Sequence, residues 1–138
     1  MQRHRDVTDE DYRQLLELRD GLRRFLRWSE ERARAGGLTA AQHQLLLAVR
    51  GHPAGNAPTV GEVADHLLLR HHSAVQLVDR AERAGLVRRD RDDEDHRRVR
   101  LSVTEAGERA LASLAAQHLE ELSRVGLAFG KLSIRMAK

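Results

Sequence analysis

Thr59-Val60-Gly61-Glu62-Val63-Ala64-Asp65-His66-Leu67, followed after a brief turn by His71-His72-Ser73-Ala74-Val75-Gln76-Leu77-Val78-Asp79-Arg80-Ala81-Glu82-Arg83-Ala84-Gly85, decides the fold. Thr59 and Glu62 stand at capping-box spacing, so a helix starts there. Val60, Val63, Ala64 and Leu67 give it one apolar face. A second helix is expected over 71–84, with Gly85 at the C′ position where a positive φ costs glycine little. The period then changes. Leu86-Val87-Arg88-Arg89 reads as a short strand, and Arg98-Val99-Arg100-Leu101-Ser102-Val103 alternates strictly, with Val99, Leu101 and Val103 on one face. A polar loop, Asp90 to Arg97, lies between them. Two short helices joined by a tight turn and followed by a hairpin describe a winged helix-turn-helix with a two-stranded wing.

Outward from this unit the sequence is helical. Thr39 and Gln42 form another capping box, opening a helix through Leu45, Leu46 and Val49 that stops at Gly51. Residues 51–58, with Pro53 and Pro58, read as a loop. Toward the N-terminus, Thr8 is the expected N-cap of a long helix, and Asp9, Glu10 and Asp11 suit its dipole. Tyr12, Leu15, Leu16, Leu18, Leu22, Phe25 and Leu26 form its apolar stripe, and Gly36-Gly37 ends it. At 1.5 Å per residue it is roughly 40 Å long. Thr104 is expected to cap the last helix, whose seam of Leu111, Ala115, His118, Leu122, Val125, Phe129 and Leu132 alternates steps of four and three. A winged-helix core of about 50 residues cannot bury two such stripes, and unburied stripes of that size mark interfaces. The expected organisation is a single mainly α (α+β) domain over 1–138. Residues 38–103 form its winged helix-turn-helix, and 8–37 and 104–138 its dimerisation helices.

The composition narrows the chemistry. Among 138 residues, 41% are hydrophobic but only 3% aromatic, so the core must rest on Leu, Val and Ala. The absence of cysteine removes disulfides, thiolate zinc sites, cysteine nucleophiles and thiol redox sensing, and makes the cytoplasm the expected location. No apolar run approaches the ~20 residues of a membrane span, and Met1 to Asp6 do not read as a signal peptide. The net charge is +3, with 22 of the 24 basic residues arginine. Between Thr59 and Thr104, however, nine arginines meet nine acids. Any case for nucleic acid must therefore rest on where the charges sit.

They sit on one face. His72, Gln76, Arg80 and Arg83 recur at steps of four, four and three, opposite Ala74, Leu77, Val78 and Ala81. N-terminal residues of such a helix reach base edges, while later ones meet phosphate. His72, Ser73 and Gln76 are therefore assigned to base readout, Arg70 and Arg80 to backbone or mixed contacts, and His71 to the same interface. Gln76 can read adenine bidentately or face a phosphate. The plain alternative is a solvated polar face.

Leu38-Thr39-x-x-Gln42-x-x-Leu45-Leu46, Val63-Ala64-x-x-Leu67, Leu77-Val78-Asp79-Arg80, Gly85-Leu86-Val87, Asp95-His96-Arg97 and Val103-Thr104-Glu105-Ala106-Gly107 occur in that order. With these motifs the chain resembles the MarR family of bacterial transcription regulators over nearly its whole length. The resemblance implies a homodimer with interleaved terminal helices, bound to palindromic double-stranded DNA. It further implies wing arginines Arg97 and Arg98 at the DNA, Arg97 in the minor groove and braced by Asp95 through an ion pair. Relatives place a small-molecule effector between the dimerisation helices and the winged helix, where Phe25, Trp28 and His43 stand as candidate lining. Many relatives carry Arg or Lys where this chain has Gln76, so base preference does not transfer.

Other readings are weaker. Asp90-Arg91-Asp92-Asp93-Glu94-Asp95 holds five acids in six residues, which should repel DNA, and its bland reading is a solvated hairpin tip. It lacks the glycine and the twelfth-position Glu of a calcium loop. Glu62 and His66 lie one helical turn apart near His71 and His72, but no recognisable zinc pattern appears, so no metal or cofactor is expected. His118 in the apolar seam reads as a satisfied core or interface histidine rather than a pH sensor. No nucleophile or acid–base constellation is spaced for catalysis, so an enzyme is not expected. The expected function is a sequence-specific, ligand-responsive repressor. The alternative is a winged helix used only for protein contact.

Overall fold

The computed structural model describes residues 6–53 and 55–136, with side chains described through 125. The elements are α1 (Asp9–Ala35), α2 (Ala40–Arg50), α3 (Val60–Leu67), α4 (His71–Arg83), β1 (Val87–Arg91), β2 (Val99–Val103) and α5 (Glu105–Met136). α1, α2 and α3 each open on a reciprocal capping box: Thr8 with Asp11, Thr39 with Gln42, Thr59 with Glu62. α1 and α4 end alike. Gly37 (φ 84°) and Gly85 (φ 75°) turn left-handed, letting the Leu38 amide reach the Ala33 carbonyl and the Leu86 amide the Ala81 carbonyl, both at 2.9 Å. The leucine after each glycine is buried, the apolar contact that completes this helix stop.

The hairpin pairs Val87 with Val103 through Arg91 with Val99. β1 therefore runs to Arg91, past the expected end at Arg89, because Asp90 and Arg91 still find partners in β2. The turn is correspondingly confined to 92–98. The loop before α3 is also more ordered than its breakers suggest. The Leu101 amide donates to the Pro58 carbonyl at 2.8 Å, and Thr59 bridges Arg100. A proline at a sheet edge can still accept although it cannot donate.

The core lies where α2, α3, α4 and the hairpin meet the first turns of α5: Leu45, Leu46, Val63, Val78, Val87, Leu101 and Leu114 are almost fully buried. Thr104 holds α5 to it. Its hydroxyl donates to the Gly85 carbonyl at 2.6 Å and accepts from the Gly107 amide at 3.1 Å, while its own amide donates to the Leu86 carbonyl at 3.0 Å. Most of the α1 stripe is left outside: Leu15, Leu16 and Leu26 are more than half exposed, as is Leu119 on α5. Leu111 is buried and Leu122 exposed, whereas the Phe129 and Leu132 side chains of the expected seam lie outside the described residues. Among the described residues no helix is long and apolar enough to cross a membrane.

Gly107 is where the α5 backbone passes closest to the hairpin. A Cβ there would run into the Leu86 carbonyl oxygen and a Val103 methyl. Alanine normally gains about 1 kcal/mol over glycine inside a helix. Here the obstacle is partly backbone and cannot yield. Gly107→Ala is expected to destabilise the fold by roughly 1–3 kcal/mol, read from the shift of the urea midpoint. A stabilised variant would mean that α5 docks less closely than described.

Candidate nucleic-acid interface

α4 is split lengthwise. Ala74, Val78 and Ala81 are buried and Leu77 partly so, whereas His71, His72, Ser73, Gln76, Arg80 and Arg83 are exposed. Its start differs from those of the three helices before it. Arg70 occupies the N-cap and gives no side-chain cap. The positive helix terminus thus carries a cation and three exposed polar residues where the others carry a threonine hydroxyl, an arrangement a neighbouring anion would relieve.

The wing is tied to α4 by Arg89. Its guanidinium, one quarter exposed, donates to Asp79 Oδ1 at 2.5 Å and to Glu82 Oε1 at 2.9 Å. β2 is tied to the loop before α3 by Arg100, which donates to Asp92 Oδ2 at 3.0 Å and to the Ala57 carbonyl at 2.6 Å. The Asp92 carboxyl lies below its ordinary range, first because the Glu94 amide donates to it, then because of Arg100. Asp95 Oδ1 accepts from the Arg97 amide at 3.0 Å and from Arg97 Nε at 3.2 Å. The Arg97 side chain is itself 93% exposed. Arg98 is exposed at the same turn, and its backbone closes it by bonding Asp95 and Asp92. Not all of the wing acids are therefore loose charge: Asp90 accepts from the Ser102 hydroxyl, Asp92 holds Arg100, and Asp95 holds Arg97. Sequence periodicity carried no sign of Arg89 or Arg100 as ties, since their partners on α4, in the wing turn and in the loop before α3 come together only in the tertiary fold.

Phe25, Trp28 and His43 do converge, and the group between them is His118. Its ring centroid lies 5.9 Å from Phe25, 4.8 Å from Trp28 and 4.8 Å from His43. His118 Nδ1 lies 2.7 Å from the Leu114 carbonyl, which can only accept, so Nδ1 carries the proton. In the neutral ring Nε2 then accepts from the Ser29 hydroxyl, 2.7 Å away. His43 is buried, and burial first and His118 second hold its pKa below the ordinary value. Glu62 and His66 meet at a residue that motif reading passed over. His52 lies 2.9 Å from His66 through Nδ1 and 2.9 Å from Glu62 through Nε2. Among the described residues no three His or acidic side chains are grouped to hold a metal ion.

Fold and site together define a winged helix-turn-helix protein whose exposed helix face is fixed against a wing that carries Arg97 and Arg98 beside a cluster of acids. Residues 36–98 match the family model described as MarR family. Solved structures agree in fold. A MarR family protein from Bacillus stearothermophilus is 27% identical, with a TM-score of 0.67 over 96% of this chain and 100% of that one. A MepR variant from S. aureus bound to an oligodeoxyribonucleotide is 16% identical, with a TM-score of 0.66 over 96% and 95%. NadR in complex with 4-hydroxyphenylacetate is 17% identical, with a TM-score of 0.70 over 99% and 92%. The last two, at their identities, show the fold alone. No curated protein matches the sequence at a significant level.

The His43 shift fixes a sign. Its folded pKa lies below the unfolded value of 6.5, so the unfolded chain binds more protons as pH falls through that window. Its contribution is complete above about pH 6.5 and is lost below it. The lowered Glu62 and Asp92 carboxyls act further down, below their ordinary values of 4.5 and 3.8. Urea midpoints of the wild type should therefore fall from pH 7.5 to 5, and His43→Gln should flatten that fall. Parallel pH profiles would remove His43 as its source.

Proposed function

We propose that the chain is a sequence-specific DNA-binding transcriptional regulator, a homodimeric repressor that binds an inverted repeat and is released by a small-molecule effector. The observation that carries this reading is the exposed polar face of α4, with the wing ion-paired to its flank. In this reading His72, Ser73 and Gln76 read base edges, and Arg70, His71 and Arg80 meet the backbone. Arg97 reaches the adjacent minor groove, where a narrow A·T-rich stretch concentrates negative potential, and Arg98 contacts the DNA beside it. Asp95 restrains Arg97 without entering the groove. The MepR and NadR structures, one holding an oligonucleotide and one a small aromatic acid, support both halves of the proposal by family likeness.

The exposed leucines of α1 and α5 are the dimer contact, so residues 8–37 and 104–138 serve dimerisation and 38–103 DNA binding. Phe25, Trp28, His43 and His118 stand between the two parts as the effector crevice. An effector acts by binding the DNA-incompetent geometry more tightly, since equal affinity for both would shift nothing. The protein works in the cytoplasm and is not an enzyme. The even charge balance of 59–104 favours a second reading, a winged helix that binds only protein.

Salt separates the two, because phosphate contacts release counterions. Binding to a selected duplex should weaken steeply with salt, and Arg97→Ala should weaken it and reduce the log–log slope by about one unit. Asp95→Asn should also weaken binding, although simple Coulomb attraction predicts the reverse on removing an acid near phosphate. Tighter binding by Asp95→Asn would show that the acid only repels DNA. Gln76→Ala should relax base preference at one or two positions of each half-site, by about 1–3 kcal/mol per lost bidentate pair. An unchanged sequence preference would return Gln76 to a solvated face.

A further inference from the structure

Leu68 breaks two local rules at once. It caps the C-terminus of α3 with φ 55° and ψ 41°, and it is the one non-glycine residue with positive φ among those described. It is also 92% exposed. A left-handed leucine presses its Cβ toward the following carbonyl, which glycine avoids and asparagine tolerates better. The left-handed turn itself is required, because it lets the Leu69 amide reach the Ala64 carbonyl at 2.9 Å and swings the chain into α4. A leucine side chain is not required. Nothing in that backbone role uses the isobutyl group, which is given to solvent. Strain retained at an exposed apolar residue points to a use outside the chain's own packing.

Its surroundings indicate what that use is. Leu68 and the less exposed Leu69 stand directly before Arg70, His71, His72 and Ser73, all exposed, at the leading end of α4. Two neighbouring leucines beside an arginine and polar residues are a poor protein-docking face, which needs a larger contiguous patch. It suits DNA, whose groove edges alternate charged phosphate with carbon: the C5-methyl of thymine and the deoxyribose rings. We propose that Leu68 is an apolar contact residue of the nucleic-acid interface, packing its side chain against that carbon surface beside the phosphate met by the start of α4. This rests on the DNA-binding reading above.

The test uses the full chain, a duplex recovered by selection, and the variants Leu68→Asn and Leu68→Gly. Both replacements accept the left-handed turn, so helicity and self-association should be kept, as circular dichroism and sedimentation will show. Each variant is expected to bind the duplex at least about fourfold more weakly, the scale of one methyl-sized apolar contact per half-site. Uracil placed for thymine removes only the methyl. If one such replacement weakens the wild type by a similar factor and adds nothing in Leu68→Asn, the contact is the base methyl. If every replacement is silent while both variants still bind weakly, the contact is deoxyribose. Undiminished affinity in both variants overturns the proposal but leaves DNA binding intact, as does a change in self-association alone. A wild type that binds no duplex overturns the DNA-binding reading itself, and this inference with it.

Discussion

The Arg89 guanidinium, set between Asp79 and Glu82, is the constraint on which the geometry of the interface depends. The two carboxylates are more than two-fifths exposed, so water screens the pair and its stabilisation is small. Its importance is directional. A guanidinium donates along fixed lines, so two acceptors one helical turn apart fix the side of α4 on which the wing lies. The same contact spends two acids that would otherwise stand unneutralised beside the exposed face. Arg100 does the equivalent at the other strand, drawing Asp92 inward toward the loop before α3. A segment with no net charge is thereby sorted. Several of its acids are turned onto internal arginines, while Arg70, Arg80 and Arg97 project outward.

Legibility in the sequence followed the range of the interaction. Capping boxes, helix-stopping glycines and apolar periodicity are local, and Thr59–Glu62, Gly85 and the α4 split stood where the chain's pattern put them. The wing bracing of Asp95 and Arg97, two residues apart, came from family likeness, and the structure brings the pair together. Ties between distant positions were hidden. His118 among Phe25, Trp28 and His43, the bridge from Thr59 to Arg100, and His52 joining Glu62 to His66 each require a tertiary fold before the partners can be paired. Strand ends shifted for the same reason, since pairing continued through charged Asp90 and Arg91 where hydropathy saw a loop.

The places where the chain is least self-sufficient lie on its proposed contact surfaces. The start of α4 has no side-chain cap, Leu68 holds a left-handed turn that glycine would hold more easily, and the leucines of α1 lie open. Elsewhere the local rules are met: no described buried side-chain polar atom lacks a partner, and threonines cap the neighbouring helices. In the proposed function these groups are the ones that DNA and a second copy of the chain would cover. Two copies joined through α1 and α5 would present two α4 helices related by a two-fold axis.

Recovery of bound sites from random duplex DNA tests that arrangement most directly. The account predicts inverted repeats whose half-site centres lie about 10–11 base pairs apart, or a multiple of that spacing, since one helical turn returns the major groove to the same side. Bound sites with no dyad symmetry would contradict it.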